Sequence, residues 1–167
     1  LVLYRENGVY VSKSWTEMRE IVDDLASYLI SIGVKKGDRI GIFSSNCWQW
    51  WVADMASLSV GAITVPLYAT NSAEECRYVL AHSSVKLCFT GSEDQTEKIK
   101  SITRKIASLK KIITFHDMPK KTTVFPLDIA IEAGKKAKKI KEVNSRRKKI
   151  KGSDCASIVY TSGTTGN

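Results

Sequence analysis

The residues best suited to chemistry stand together at the end of the sequence: Thr161, Ser162, Gly163, Thr164, Thr165 and Gly166. Gly163 and Gly166 let a backbone take positive φ and come close to an anion. Successive backbone N–H groups in such a conformation form an anion-binding concavity. The four hydroxyls add hydrogen-bond donors, and a hydroxyl can also ligate Mg²⁺. The loop follows Ala156 to Tyr160, an apolar, β-branched run with the length and composition of a buried strand. A strand emptying into a loop of glycines and hydroxyls suits phosphate. The two glycines are three apart and no Gly-Lys-[Ser/Thr] follows, so the Walker A pattern is absent. On composition alone, a flexible Gly/Thr turn and a phosphate loop both stand.

Other chemistry-bearing residues carry weaker patterns. His82 and His116 are 34 residues apart in different elements, outside any nucleophile motif, and read as surface or helix-end histidines. Asp23-Asp24 and Glu74-Glu75 are neighbours on helices, so each pair splays across the surface and reads as a solvated face or cap support. Cys47, Cys76, Cys88 and Cys155 form no C-x-x-C pair, and read as reduced, mostly buried thiols of a cytosolic protein.

A chain of 167 residues, 43% apolar, can bury one core, so a single domain is expected. No apolar run approaches the roughly 18 residues of a membrane span. There is no initiating Met and no charged-then-apolar leader, so no signal peptide is expected. A start at Leu1 and a stop at Asn167, inside the loop motif, read as an excised piece of a longer protein. The net charge of +9 has one source. Residues 133–151 hold ten Lys or Arg and one acid, Glu142, while the remainder holds sixteen of each sign. Leu127, Ala130, Ala133, Ala137 and Ile140 give that region a modest apolar stripe. A solvated face, a contact with an anionic membrane and a nucleic-acid contact compete for it. No nucleic-acid-binding signature accompanies the charge, so no nucleic-acid partner is expected.

The elements that must position the loop follow in order. Asn7-Gly8 between Val2–Arg5 and Val9–Ser12 predicts a hairpin. Ser14 and Glu17 form a capping box for a helix whose inward face is Trp15, Met18, Val22, Leu25, Leu29 and Ile32, ended by Gly33. Arg39–Ser44 reads as strand. Asn46 is expected to cap a helix to about Val60, apolar nearly all round, with Trp48, Trp50 and Trp51 in the core. Then come strand Ala62–Leu67, a helix capped by Ser72 and Glu75 with Cys76, Val79 and Leu80 inward, strand Lys86–Thr90, helix Glu93–Leu109 and strand Lys111–Phe115. A loop leads to a helix over Leu127–Lys141, then the basic stretch and the final strand. This alternation predicts an α/β fold: a doubly wound, mostly parallel sheet with helices on both faces, plus a small N-terminal β-hairpin. In such sheets ligands sit beyond the carboxyl ends of strands, which is where the loop falls.

The string Tyr160-Thr161-Ser162-Gly163-Thr164-Thr165-Gly166 resembles the phosphate loop of the adenylate-forming (AMP-binding) superfamily, which includes acyl-CoA synthetases, peptide-synthetase adenylation domains and luciferases. In that family one variable residue and then Pro-Lys-Gly usually follow; Asn167 stands at the variable position. Gly37-Asp38-Arg39-Ile40, Ser45-Asn46, Trp50, Ala53-Asp54, Gly61-Ala62 and Val65-Pro66-Leu67-Tyr68-Ala69-Thr70 resemble long-chain acyl-CoA synthetases. Gln49 departs from that family's usual Glu.

The resemblance implies the N-terminal α/β part of an AMP-binding domain, from a long-chain fatty acid–CoA ligase acting in fatty acid metabolism. Its substrates would be a fatty acid, ATP and CoA, with Mg²⁺. Thr161, Ser162, Gly163, Thr164, Thr165 and Gly166 would bind the ATP phosphates. No catalytic residue beyond that loop and no metal ligand maps onto this chain, so residues 1–167 alone are expected to be inactive. A cytoplasmic enzyme, peripheral at an anionic membrane through 133–151, and a homodimer are compatible with that reading. A P-loop-like ATPase and a non-catalytic basic module binding anionic surfaces are the rivals.

Overall fold

The computed structural model describes residues 1–6, 8–117 and 124–161. Strands β1 (Val2–Glu6) and β2 (Val9–Lys13) pair antiparallel, Val2 opposite Lys13 and Glu6 opposite Val9, as the two-residue connection predicts. Helix α1 (Trp15–Ser31) starts with the expected box: the Ser14 hydroxyl accepts from the Glu17 N–H at 3.1 Å, and the Glu17 carboxylate accepts from the Ser14 N–H at 2.6 Å. Gly33, at φ +86°, turns the chain out of the helix. The inward face is Met18, Val22, Leu25 and Leu29. Trp15 and Ile32 are exposed instead, at the first residue and the C-cap of the helix.

Five parallel strands form the sheet in the order β4-β3-β5-β6-β7: β3 (Arg39–Phe43), β4 (Ile63–Leu67), β5 (Leu87–Thr90), β6 (Lys111–Thr114) and β7 (Phe125–Pro126). Both faces are covered. Ile40, Ile42, Leu87, Phe89 and Ile113 pack under α1, α2 (Trp48–Ser59) and α5 (Leu127–Ala137). Phe43, Val65, Leu67, Cys88 and Ile112 pack under α3 (Ala73–His82) and α4 (Glu93–Ile102). Two-sided burial explains why these strands read as continuous apolar runs.

Several elements depart from expectation. Helix α2 is capped by Cys47 in extended backbone with no side-chain hydrogen bond, not by Asn46. Its tryptophans are only half-buried. Trp48 lies against Tyr4 of the hairpin (ring centroids 6.0 Å apart) and Trp51 against Trp15 of α1 (6.1 Å), so they pack on the rim of the core and join α2 to the hairpin and to α1. Helix α4 stops at Ile102, and a 3-10 turn, Thr103–Lys105, delivers Ile106 and Leu109 to the core. The helix expected over 127–141 ends at Ala137. Lys138 adopts φ +52° and a second helix, α6 (Ile140–Lys149), begins.

The final strand shrinks to a single parallel bridge, Ser157 opposite Thr64, at the outer edge of β4. With no element outside it among the described residues, Val159 is 62% exposed, where a buried strand was expected.

The basic stretch is therefore folded helix, not linker. Gly134 lets α5 cross α1 so closely that a Cβ there would lie 1.8 Å from the Asp24 carbonyl oxygen. Asp23 is not a solvated acid either: it pairs with Arg19 at 3.0 Å and with Arg147 of α6 at 2.5 Å.

Candidate functional site at the carboxyl side of the sheet

The residues leading into the glycine–threonine loop run along the open edge of β4. The Thr64 N–H donates to the Ala156 carbonyl at 3.0 Å, and the Ile158 N–H to the Thr64 carbonyl at 2.9 Å. The Ser157 hydroxyl adds a bond to the same Thr64 carbonyl at 3.1 Å. These parallel contacts carry the chain in the direction of β4, so Tyr160 reaches the carboxyl end of the sheet beside Leu67. Thr161 emerges there, exposed. Ser162, Gly163, Thr164, Thr165 and Gly166 lie outside the described residues.

Tyr160 is held in place by α3. Its hydroxyl is 2.6 Å from Nδ1 of His82, the last residue of that helix. Tyr78, one turn earlier, stacks on the His82 ring (5.6 Å, 19°) and meets Tyr160 edge-on (6.3 Å, 85°). Burial in this aromatic cluster raises the Tyr160 phenol above its ordinary value, with the Ser83 side chain opposing. The cluster floors a cavity of about 670 Å³ also lined by Tyr68, Asn71, Glu75 and Thr161. Glu74 and Arg77 face each other at 2.5 Å on its wall, and Arg77's hydrogen bond holds the Glu74 carboxyl below the usual range. Thr161 at the mouth of the cavity is thus the one predicted phosphate-binding residue whose position the structure describes.

The point where the strand order reverses, at the carboxyl ends of β3 and β5, is closed by packing. A Cβ on Gly91 would lie 2.1 Å from the Ser44 hydroxyl, and the open space at this side of the sheet divides into the cavity at the β4 edge and one of about 760 Å³ beyond β3, lined by Asn46, Cys47, Trp48 and the N-terminal hairpin. His82, read as a helix-end histidine, is one, but its bond to Tyr160 ties it to the loop. Only the pairing of a helix-end His with an aromatic 78 residues later could have signalled this, and no local pattern encodes it.

His116 is half-buried after β6. Its Nδ1 bonds the Thr114 hydroxyl, and its Nε2 is buried with no partner among the described residues. Thr114 in turn meets Thr96 (3.4 Å) and Thr96 meets Thr90 (2.7 Å), a buried hydroxyl relay that the sequence does not suggest. Among the described residues no group of three or more His, Cys, Asp or Glu could hold a metal, and no helix is long and apolar enough to cross a membrane.

The AMP-binding enzyme family matches residues 2–167. The long-chain-fatty-acid–CoA ligase FadD15 of Mycobacterium tuberculosis is 32% identical over 99% of this chain and 27% of its own length. The human long-chain-fatty-acid–CoA ligase ACSBG2 is 32% identical over 84% of this chain and 21% of its own. The chain spans about a quarter of the length of the curated relatives it matches. Among solved structures, a long-chain-fatty-acid-CoA ligase (FadD1) from Archaeoglobus fulgidus superposes with a TM-score of 0.73 at 22% identity, over 93% of this chain and 29% of that one. An anthranilate CoA ligase, AuaEII, superposes with a TM-score of 0.71 at 18% identity, over 90% of this chain and 27% of that one. With the family matched over residues 2–167, this chain belongs to the AMP-binding enzyme family.

Proposed function

We propose that this chain is the N-terminal part of an ATP-dependent ligase that joins a long-chain fatty acid to CoA. The observation that carries the reading is the Tyr160–Gly166 string, whose first two residues, Tyr160 and Thr161, stand at the carboxyl side of a parallel sheet in a chain that matches the family over residues 2–167. The fatty acid carboxylate attacks the α-phosphorus of ATP. An acyl–adenylate bond forms, the α–β phosphoanhydride breaks, and pyrophosphate leaves with the electron pair. The CoA thiol then gives up its proton and attacks the acyl carbon, expelling AMP.

Thr161, Ser162, Gly163, Thr164, Thr165 and Gly166 cradle the β- and γ-phosphates. Their N–H and O–H donors stabilise charge on the departing pyrophosphate, so positioning and electrostatics supply most of their effect. The Thr161, Ser162, Thr164 and Thr165 hydroxyls would help hold Mg²⁺, which would supply positive charge to the departing pyrophosphate. The chain spans about a quarter of the length of its relatives, and we assign the acyl and adenine pockets, with any homodimer contact, to the remainder of such an enzyme. Residues 1–167 alone form no acyl-CoA.

The test is pyrophosphate–ATP exchange by a protein carrying this chain at full family length, given a ladder of fatty acids and Mg²⁺ without CoA. Exchange that needs the fatty acid and peaks at long chains is expected. A folded protein silent across the ladder overturns the reading.

A further inference from the structure

Outside residues 133–151 the charges cancel in number, but the fold sorts them in space. In a parallel sheet with crossover helices, the residues just ahead of each strand gather at one pole. Here those residues include Lys35 ahead of β3, Lys86 ahead of β5 and Lys110 ahead of β6. Helix α6 is fixed to the same pole. Arg146 donates to the Val34 carbonyl at 2.7 Å, just before β3, and Arg147 to the Ser59 hydroxyl at 2.9 Å, where α2 ends before β4. The segmental charge and the scattered lysines thus share one surface at the amino ends of the strands.

The acids on that surface are already paired: Asp38 with Lys86 (2.7 Å), Asp154 with Lys36 (2.6 Å) and Glu142 with Arg146 (2.7 Å). Lys138, Lys139 and Lys141, at the junction of α5 and α6, and Lys148 and Lys149, at the end of α6, are exposed and pair with no acid among the described residues. Helix carboxyl ends also collect at this pole, and each favours about half a positive charge. The unpaired lysines exceed that demand.

The type of charge discriminates between partners. The two arginines of α6, whose planar forks suit individual phosphates, are turned inward to Val34, Ser59 and Asp23. What faces solvent is mostly lysine, set among Ile32, Ile140 and Ile150, each 37–39% exposed. The exposed aromatics Tyr10, Trp15, Tyr68 and Tyr78 lie in the hairpin, at the start of α1 and at the β4 carboxyl side, so no base-stacking platform accompanies the charge. Lysines around half-exposed aliphatic residues are the composition of an interfacial surface.

We propose that this amino-end pole of the sheet is a docking surface for an anionic lipid bilayer. Docking there leaves Thr161 and its cavity, at the opposite end of the strands, facing away from the lipid. The proposal extends beyond the ligase reading, and its binding test does not depend on that reading.

The experiment is flotation of this chain with vesicles of phosphatidylcholine alone and with about a third phosphatidylglycerol, at low and high salt. Binding only to the anionic vesicles, weakened by salt, is expected. Lys139→Glu/Lys141→Glu places acids in the first turn of α6, where the helix dipole favours them, so the fold tolerates the change. Binding by this variant should fall about tenfold or more, while Arg5→Glu/Lys13→Glu in the hairpin should bind like the parent. If the first variant melts early, Lys148→Gln/Lys149→Gln replaces it. Equal binding to neutral vesicles, indifference to salt, pole variants matching the hairpin control, or tighter binding to a single-stranded oligonucleotide than to anionic vesicles would each overturn the proposal.

Discussion

His82 and Tyr160 are 78 residues apart and meet at 2.6 Å, one residue before the glycine–threonine loop. The bond anchors the edge segment 156–161 to α3, where the backbone contributes only the Thr64–Ser157 bridge. Tyr160→Phe removes the hydroxyl and keeps the ring contacts. A loss of about 1 kcal/mol is expected, and His82→Ala should cost nothing further in the Tyr160→Phe background apart from its ring contacts with Tyr78 and with the ring at position 160. In the full-length enzyme, Tyr160→Phe should raise KM for ATP several-fold and leave KM for the fatty acid unchanged. Steady-state kinetics with each substrate varied checks this; equal effects on both constants would make the bond a general stabiliser only.

Gly134 sets the distance between α1 and α5. Gly134→Ala would push a methyl group into the Asp24 carbonyl, backbone that cannot rotate away. A loss of about 3 kcal/mol follows from such overpacking, a fall of about 10 °C in Tm for a domain of this size. Thermal unfolding followed by circular dichroism reads it directly, and an unchanged Tm would show that the helices cross less tightly.

The arginines and lysines of α6 differ in kind. Arg147 joins three elements through Asp23 and Ser59, and both charged groups are about four-fifths buried. Arg147→Ala should cost about 1–2 kcal/mol, Asp23 keeping Arg19 as a partner. Lys148→Ala should stay within about 0.5 kcal/mol, as an exposed side chain without a partner does. Chemical denaturation of the two variants side by side gives the contrast, and equal losses would contradict it.

What the sequence discloses and what it hides divides along local and non-local physics. The capping boxes at Ser14 and Ser72 each need residues three apart, so they were legible, as were the parallel strands with their two-sided apolar runs. The break at Lys138 was not, because a lysine in left-handed backbone carries no glycine or proline signal. Trp15 matched the inward period of α1, but period does not reveal that this first residue of the helix stays exposed. The glycine–threonine loop stands out as a string, while the anchoring of the segment before it through His82 depends on a contact no window spans. The basic pole is the extreme case. A segment-by-segment charge count finds one basic stretch and a neutral remainder, and only the parallel topology stacks the strand-leading lysines beside it.

Asp54 carries a testable pH dependence. Burial in α2 raises its carboxyl above the ordinary value of 3.8, with the Thr64 side chain opposing. A raised acid binds its proton more tightly folded than unfolded. Its contribution is therefore favourable at low pH and is lost as pH rises through the window above 3.8. Asp54→Asn should raise the unfolding midpoint at neutral pH and make little difference below pH 3.8. A variant less stable at neutral pH would mean that the Thr64 contact outweighs desolvation.

The four thiols should divide two and two, not mostly buried as their sequence neighbourhoods suggest. Cys47 and Cys155 are exposed; Cys76 and Cys88 are buried between α3 and the sheet. Burial pushes the Cys76 thiol up to about 12 and the Cys88 thiol higher still, so neither forms the nucleophilic thiolate at neutral pH while the protein is folded. A disulfide reagent such as Ellman's should therefore modify two thiols quickly and the other two only when the core opens. For a domain of ordinary stability that opening slows the reaction by about a thousandfold or more. Because α3 also carries His82, the slow pair reports on the helix that holds Tyr160: His82→Ala should leave their rate unchanged if it frees only the edge segment. Faster modification of Cys76 alone in that variant would mean that the bond to Tyr160 also holds α3 against the sheet.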